Sequence, residues 1–435
     1  MDMSQQTSKM RNLAAAIIGN ALEWYDFLVF AFMTPIISKV FFPIPEGEAN
    51  SLNEILYMTA IFGVGFFMRP VGGVLIGLYA DKKGRKAAMV LVTTLMAISL
   101  ALITVTPSYA TIGVLAPLVV LVARLIQGFS AGGEFGTATA LLIEMAPPNR
   151  RGFYGSWQMT GQMMGLLIGA GAGTLTTALF TQEEIQAWAW RIPFLFGLLI
   201  IPVAVYIRNR LEETDTFKEA QAENAQKGMQ QRVTMTEALM QSWREILIGI
   251  GLVAAATVTV YITFTYLVTF STRILGLPLQ ETFQVQLLGA LWVVILTPLF
   301  GLLSDKISKA LMLKVSLGLF LVSMYPVYSW LVAAPSIERL MILQLIVGVF
   351  TACFFSVFST VMAVLFPTKV RSLGMSISYN VAVLVLGGFA QFFVTWLIQQ
   401  TQSPLAPTYY VMGGLAIGLI AAIILGKRAD AEIPH

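Results

Sequence analysis

The sequence predicts an all-α membrane protein of twelve transmembrane helices, arranged as two pseudo-symmetric six-helix bundles. Three observations predict it: the composition, twelve apolar runs of spanning length, and a weak internal repeat about a polar midpoint. Of 435 residues, 57% are hydrophobic and only 11% charged, roughly half the charged share of a soluble domain. A water-soluble fold cannot hide that much apolar surface, whereas lipid tails can cover it.

Crossing ~30 Å of hydrocarbon takes about 20 apolar residues. The first run, 13–42, holds Asn20, Glu23 and Asp26 and lacks a small-residue cleavage site, so it reads as a retained helix and not a signal peptide. Further runs follow at 52–79, 87–106, 111–145, 153–180 and 188–208. The second set lies at 244–272, 282–304, 310–333, 338–366, 372–400 and 408–426. Several exceed the minimum, which predicts tilt or extension beyond the bilayer. The stretch between the sets is polar and rich in Gln, Ala and charge (Glu212, Glu213, Asp215, Lys218, Glu219), as suits a solvated cytoplasmic spacer. The expected organisation is an N-terminal bundle over 1–208, a linker over 209–243 and a C-terminal bundle over 244–435.

The cations orient this arrangement. Lys39, Arg191, Arg273 and Arg339 fall on one side and Arg69 and Arg124 inside spans, while the remaining 21 of the 27 Lys and Arg fall on the other side. Because cytoplasmic loops carry the excess of positive charge, both termini are expected in the cytoplasm, as in a multi-pass protein of a bacterial inner membrane. A net charge of +4 and a pI near 9.0 therefore reflect orientation, with no nucleic-acid partner implied.

Other chemistries are poorly supplied. The lone cysteine, Cys353, sits in an apolar run, and the lone histidine is His435, which excludes an intramolecular disulfide, histidine relays and a cysteine metal cluster. The sequence holds neither a nucleotide-binding phosphate loop nor a nucleophile–base pair, so no enzyme, ATP-driven pump, metal or cofactor is expected.

The repeat joins the two sets of spans. Gly77-Leu-Tyr-Ala-Asp81-Lys-Lys-Gly84-Arg85-Lys86 follows the second run, and Gly301-Leu-Leu-Ser-Asp305-Lys-Ile-Ser-Lys309 follows the eighth. Pro147 precedes Arg151, and Pro367 precedes Arg371, by the same step; both matches are offset by about 220 residues, as two parallel six-helix halves would give. With this loop the chain resembles the major facilitator superfamily. More narrowly it is similar to the metabolite:proton symporters, which carry citrate, tricarballylate, oxoglutarate, shikimate or proline/betaine. That similarity rests on Gly19-Asn20-Ala-Leu-Glu23-Trp24-Tyr25-Asp26-Phe27, Met68-Arg69-Pro70-Val-Gly72-Gly73 and Arg124-Leu-Ile-Gln127-Gly128-Phe-Ser130-Ala-Gly132-Gly133-Glu134. Arg150-Arg151-Gly152-Phe-Tyr-Gly155-Ser156-Trp157-Gln158 and Trp190-Arg191-Ile192-Pro193-Phe194 complete it. The short tail after the last run predicts no coiled-coil extension of the kind some osmolyte porters carry.

Ionisable groups inside a membrane are costly and mark function. Glu23 and Asp26, three residues apart, share a helix face with Asn20 and Phe27. Two carboxylates so close cannot both ionise easily, so Asp26, then Glu23, with Glu134 nearby, are the expected proton carriers, the alternative being simple pairing with Arg69 or Arg124. Arg124, Gln127, Ala131 and Glu134 form one stripe, its ends ~15 Å apart at 1.5 Å per residue. Such a stripe suits a polar cavity, although Gly128, Gly132, Gly133 and Gly136 equally suit close packing. Arg69, Arg124, Gln127, Trp157, Gln158, Gln162, Tyr266, Tyr379 and Asn380 are the expected substrate ligands, with Met159, Met163 and Met164 better read as packing. Gly161, Gly165, Gly169 and Gly173, at four-residue steps, predict a smooth face packed across the two halves. The resemblance implies that Asp81, Arg85, Glu144, Arg151, Asp305 and Arg371 form a cytoplasmic gate.

The function implied is alternating-access, proton-coupled transport of a small organic acid or zwitterion, di- or tricarboxylate-like, by a monomer in the bilayer. A tricarboxylate would nevertheless call for more buried cations than these. The alternative is proton-driven efflux of amphiphilic drugs such as quinolones, which the methionine-rich fifth run favours and the absence of an antiporter proline there opposes.

Overall fold

The computed structural model describes residues 3–42, 53–83, 85–133, 135–136, 139, 142–143, 146–198, 201–202, 242–366 and 371–431. Glu134, Glu144 and the 209–241 stretch lie outside these residues, and the side chains of Asp81 and Arg85 lie outside what is described.

Twelve apolar segments appear in order. They are α1 (Met3–Phe41), α2 (Asn53–Val64, a 3₁₀ turn Gly65–Phe67, then Met68–Lys83), α3 (Arg85–Val105), α4 (Leu115–Ser130, then a 3₁₀ turn Ala131–Gly133), α5 (Arg151–Leu179) and α6 (Ala189–Leu198). In the second half stand α7 (Trp243–Val258, a π segment Thr259–Thr265, then Tyr266–Arg273), α8 (Leu279–Ser304) and α9 (Lys309–Ala333). After these come α10 (Ile337–Leu365), α11 (Arg371–Val383, a π segment Leu384–Gly388, then Ala390–Thr401) and α12 (Ala406–Leu425). Nine of the described helices are long and apolar enough to cross a bilayer, and the remaining three segments are shorter but equally apolar. The fold is that of a multi-pass membrane protein, all α-helical, with two six-helix bundles.

Local chemistry sets the helix ends. Ser336 caps α10 by accepting from the Arg339 amide, and Ser308 caps α9 through Leu311. Gly276 ends the turn after α7 at φ 70°, a left-handed conformation that suits glycine. Leu118, Val122, Leu175, Leu299, Val322 and Ile424 are all exposed, a surface that water would penalise and acyl chains accept.

The glycine row on α5 departs from the expected cross-half packing. A Cβ at Gly161 would meet Asn20 Nδ2 at 2.7 Å, one at Gly165 the Ala21 carbonyl oxygen at 2.6 Å, and one at Gly169 the Phe32 ring at 2.9 Å. Those three glycines therefore seat α1 of the same half; only Gly173 meets the other half, at Phe283 of α8. The close approach between halves lies elsewhere on α5. A Cβ at Gly152 would sit 2.1 Å from Ser304 Oγ, one at Gly155 2.2 Å from Thr360 Oγ1, and one at Gly301 2.5 Å from Ser156 Oγ. A four-residue period is blind to which neighbour it serves, and here three of its four positions serve α1.

Candidate functional site: a polar cavity where the halves meet

The two halves touch at both ends. At the end expected to face the cytoplasm, Asp305 at the close of α8 accepts hydrogen bonds from the Gly152 and Phe153 amides at 2.7 and 3.2 Å. These are the first N–H groups of α5, which no earlier turn can satisfy, and a carboxylate is their natural partner. Thr360 Oγ1 donates to the Arg151 carbonyl at 3.2 Å, and Asn380 Nδ2 to the Gly132 carbonyl at 2.8 Å. At the opposite end Gln399 Nε2 donates to Asn53 Oδ1 at 3.3 Å, and Arg273 to the Pro35 carbonyl at 3.4 Å.

Between these closures lies a cavity of about 380 Å³, its mouth included, lined by Asn20, Glu23, Trp24, Phe27, Arg69, Ala131, Phe135, Gln158 and Tyr379. The α1 face expected from spacing (Asn20, Glu23, Phe27) does turn into it, together with Arg69, Gln158 and Tyr379. Asn20 is fixed by donating to the Gln158 carbonyl at 2.9 Å, which ties α1 to α5. Gln158 Oε1 and Gln162 Nε2 are buried polar atoms with no hydrogen bond formed, and Gln162 lies within reach of the Tyr379 hydroxyl.

Asp26 and Glu23 part company. Glu23 lines the cavity, whereas Asp26 does not: its Oδ1 lies 3.0 Å from where a Cβ on Gly197 of α6 would stand. Three residues along a helix leave two side chains about 60° apart, and here that offset carries Asp26 to the α6 side. Of the two carboxylates expected to carry a proton, Glu23 is the one on the cavity wall.

The two arginines also separate. Arg124 is completely buried, and its Nη1 donates to Gln127 Oε1 and to the Phe27 carbonyl at 3.4 Å. Its Nη2 donates to the Phe62 carbonyl at 3.4 Å, so one guanidinium joins α4 to α1 and α2. The rings of Phe27, Phe30 and Phe62 surround it, with centroids 4.6, 4.8 and 4.7 Å from its Cζ. Gln127 in turn donates to the Asp26 carbonyl at 2.7 Å. Arg124 and Gln127 thus stand behind the cavity wall, holding helices together. Arg69 reaches the cavity, its Cζ 4.2 Å from the Phe27 centroid and 4.6 Å from that of Phe66. Phe27 therefore carries a cation on each side.

Six of the nine expected ligands lie outside the cavity lining: Arg124, Gln127 and Gln162, and with them Trp157, Tyr266 and Asn380. Trp157 packs with Tyr154 and Met164 against Ile17 and Leu142, and edge-on to Phe153 at 6.0 Å. Tyr266 shares a 2.7 Å hydrogen bond with Thr395 of α11, and Asn380 is committed to Gly132. Among the expected gate residues, Asp305 and the Arg151 main chain bridge the halves, while buried Arg371 donates to the Ala363 carbonyl at 3.0 Å within its own half. Sequence reasoning missed Trp24 and Phe135 as cavity walls. Phe135 could have been found, since it falls four residues after Ala131 on the α4 stripe.

Comparison with known proteins agrees with this architecture. In solved structures the fold matches a D-xylose-proton symporter with a TM-score of 0.71 over 98% of both chains at 16% identity. An inward-open form of the xylose transporter from E. coli matches with a TM-score of 0.68, over 97% of this chain and 96% of that one. By sequence, the chain is 36% identical to the citrate-proton symporter of Klebsiella pneumoniae over 95% of its own length and 91% of the relative's. It is 33% identical to the proline/betaine transporter of Escherichia coli K12 over 97% and 84% respectively. The family model described as "Sugar (and other) transporter" matches residues 12–426. With relatives this similar along nearly the whole chain and a family match over residues 12–426, the protein belongs to the sugar (and other) transporter family of the major facilitator superfamily, a family of membrane transporters and not of enzymes.

Proposed function

We propose that the chain is a proton-coupled, alternating-access carrier of a small zwitterion or monocarboxylic acid. One observation carries this reading: Arg69 and Glu23 line the same cavity, which Tyr379 of the second half helps to wall. A lone guanidinium matches one carboxylate of a ligand. The Glu23 carboxylate can meet either the ligand's cation or a proton, and Trp24, Phe27, Phe135 and Tyr379 provide apolar and cation-binding walls. A tricarboxylate would bring three charges to one cation, because Arg124, bonded to Gln127 and to the Phe27 and Phe62 carbonyls, stands behind the wall. Among the relatives, the citrate-proton symporter supports coupling to protons, and the proline/betaine transporter supports a zwitterionic ligand.

In this reading the moving bodies are residues 1–208 and 244–435, joined by the 209–243 linker, with both termini in the cytoplasm and the monomer as working unit. Glu23 is the principal proton carrier and Asp26 tunes it through α1. The driving force is the proton gradient, so no cofactor takes part.

Purified protein in liposomes, given an inward pH gradient, tests the reading with labelled proline, glycine betaine and citrate. Gradient-driven accumulation of a zwitterion, with citrate left behind, is the expected result. Accumulation of citrate alone would overturn the ligand class, and no accumulation of any acid would overturn the reading. Movement of a quinolone against the gradient in the same vesicles, without any acid, would select drug export instead.

A further inference from the structure

Arg69 stands between two aromatic closures of the cavity, and each closure contains a tyrosine from the second half. Toward the Asn53–Gln399 end, Tyr261 of α7 packs against Phe66 and Phe62 of α2, with ring centroids 5.5 and 6.0 Å apart. Toward the Asp305 end, Tyr379 of α11 stacks on Phe135, with centroids 4.3 Å apart and planes 11° from parallel. Both contacts cross between halves. The Arg69 guanidinium lies over the Phe66 ring and stands close to both tyrosine hydroxyls. The Tyr261 hydroxyl is buried and has closed no hydrogen bond. The backbone is tight here too: a Cβ at Gly388 would meet Phe66 at 2.8 Å, and one at Gly387 would meet Tyr261 at 3.0 Å.

Arg69 belongs to the first half and both tyrosines to the second. When rigid halves rock, one closure parts and the other stays packed, so the tyrosine on the parting side is drawn away from the guanidinium. A buried guanidinium with fewer polar neighbours is costly, and the tyrosine hydroxyl that stays near it is the one on the shut side. We infer that Arg69 is a selector between the two openings, with Tyr261 and Tyr379 as opposing positioning residues that decide which end stays closed. A ligand carboxylate on Arg69 would replace the lost partner, which links occupancy of the cavity to opening. That last step rests on the cavity being the ligand site; the competition between the tyrosines does not.

Spin-label distances test it. With Cys353→Ser as background, labels at Tyr57→Cys and Trp396→Cys report one end, and labels at Arg150→Cys and Lys306→Cys report the other, all four positions being exposed. Tyr261→Phe and Tyr379→Phe each keep the ring and remove one hydroxyl, so the packing survives. In lipid nanodiscs Tyr261→Phe should enlarge the long-distance population of the 57/396 pair several-fold and leave the 150/306 pair short. Tyr379→Phe should do the reverse, and in an Arg69→Gln background neither should have an effect. Shifts at the same end, no shift in either variant, or shifts that persist without Arg69 would each overturn the inference. A purely structural role would lower the melting temperature without choosing an end. Wild-type uptake is read separately: responsive labels in a protein that accumulates no acid would sink the ligand reading and leave the selector standing.

Discussion

Replacing Asp305 by Asn keeps the side-chain shape but removes its charge, and turns one of its two acceptor oxygens into a donor. In the wild type those oxygens accept from Gly152 N at 2.7 Å and Phe153 N at 3.2 Å, at the free N-terminus of α5. Hydrogen bonds to a charged group contribute about 1.5–3 kcal/mol and neutral ones about 0.5–1.5 kcal/mol. One bond therefore weakens and the other is lost, and the interaction with the helix dipole, about 0.3–1 kcal/mol, goes as well. Asp305 is half-exposed, so solvent screens part of this, and a net loss of about 2 kcal/mol is a fair expectation. At 1.4 kcal/mol per decade that is roughly a 30-fold rise in opening of this end. Hydrogen exchange at the Gly152 and Phe153 amides reads it directly: both should exchange about 30-fold faster in Asp305→Asn, while amides near Asn53 are unchanged. Unaltered protection at those two amides would refute the assignment of Asp305 as the tie between α8 and α5.

Other expectations follow from the same geometry. Arg124→Lys cannot reach the Phe27 and Phe62 carbonyls together and gives up three ring contacts, so thermal unfolding in detergent should show a loss of about 2 kcal/mol. Arg69→Lys, which gives up two ring contacts, should lower the melting point less and raise KM about tenfold through loss of the planar fork; matching effects from the two substitutions would contradict the division of labour. Glu23→Gln should abolish accumulation against a gradient while sparing exchange, and Asp26→Asn should impair accumulation less; the opposite ranking would return the proton to Asp26. Gly165→Ala forces a methyl group against the Ala21 carbonyl, so overpacking of about 1–3 kcal/mol should appear as a lower melting temperature, whereas an unshifted melt would mean that α1 yields freely.

The helices and their order were legible because span length and charge asymmetry are properties of local sequence. So was the α1 face of Asn20, Glu23 and Phe27, since helical spacing alone places it. What spacing could not supply was the neighbour. Arg124 and Arg69 look alike in sequence, each a lone cation in an apolar run. Only packing shows that Phe27, Phe30 and Phe62 enclose one and that the cavity admits the other. Spacing puts Asp26 and Glu23 on one broad helix face, and the site of Gly197 on α6 determines which carboxylate is turned away from the cavity. The α5 glycines had a period but no addressee. Asp305, read from a worn copy of a loop motif, proved to be a clear cross-half tie because a helix start happened to lie opposite it.

The π segments of α7 and α11 have a consequence for how the chain tolerates length change. Each widened turn houses surplus backbone, so removing a single amino acid from Thr259–Thr265 would let that stretch relax into an ordinary α-turn and keep Trp243 and Arg273 in phase with their neighbours. The same deletion in the regular body of α8 would rotate everything downstream by about 100°, through 3.6 residues per turn, and turn its buried side chains toward lipid.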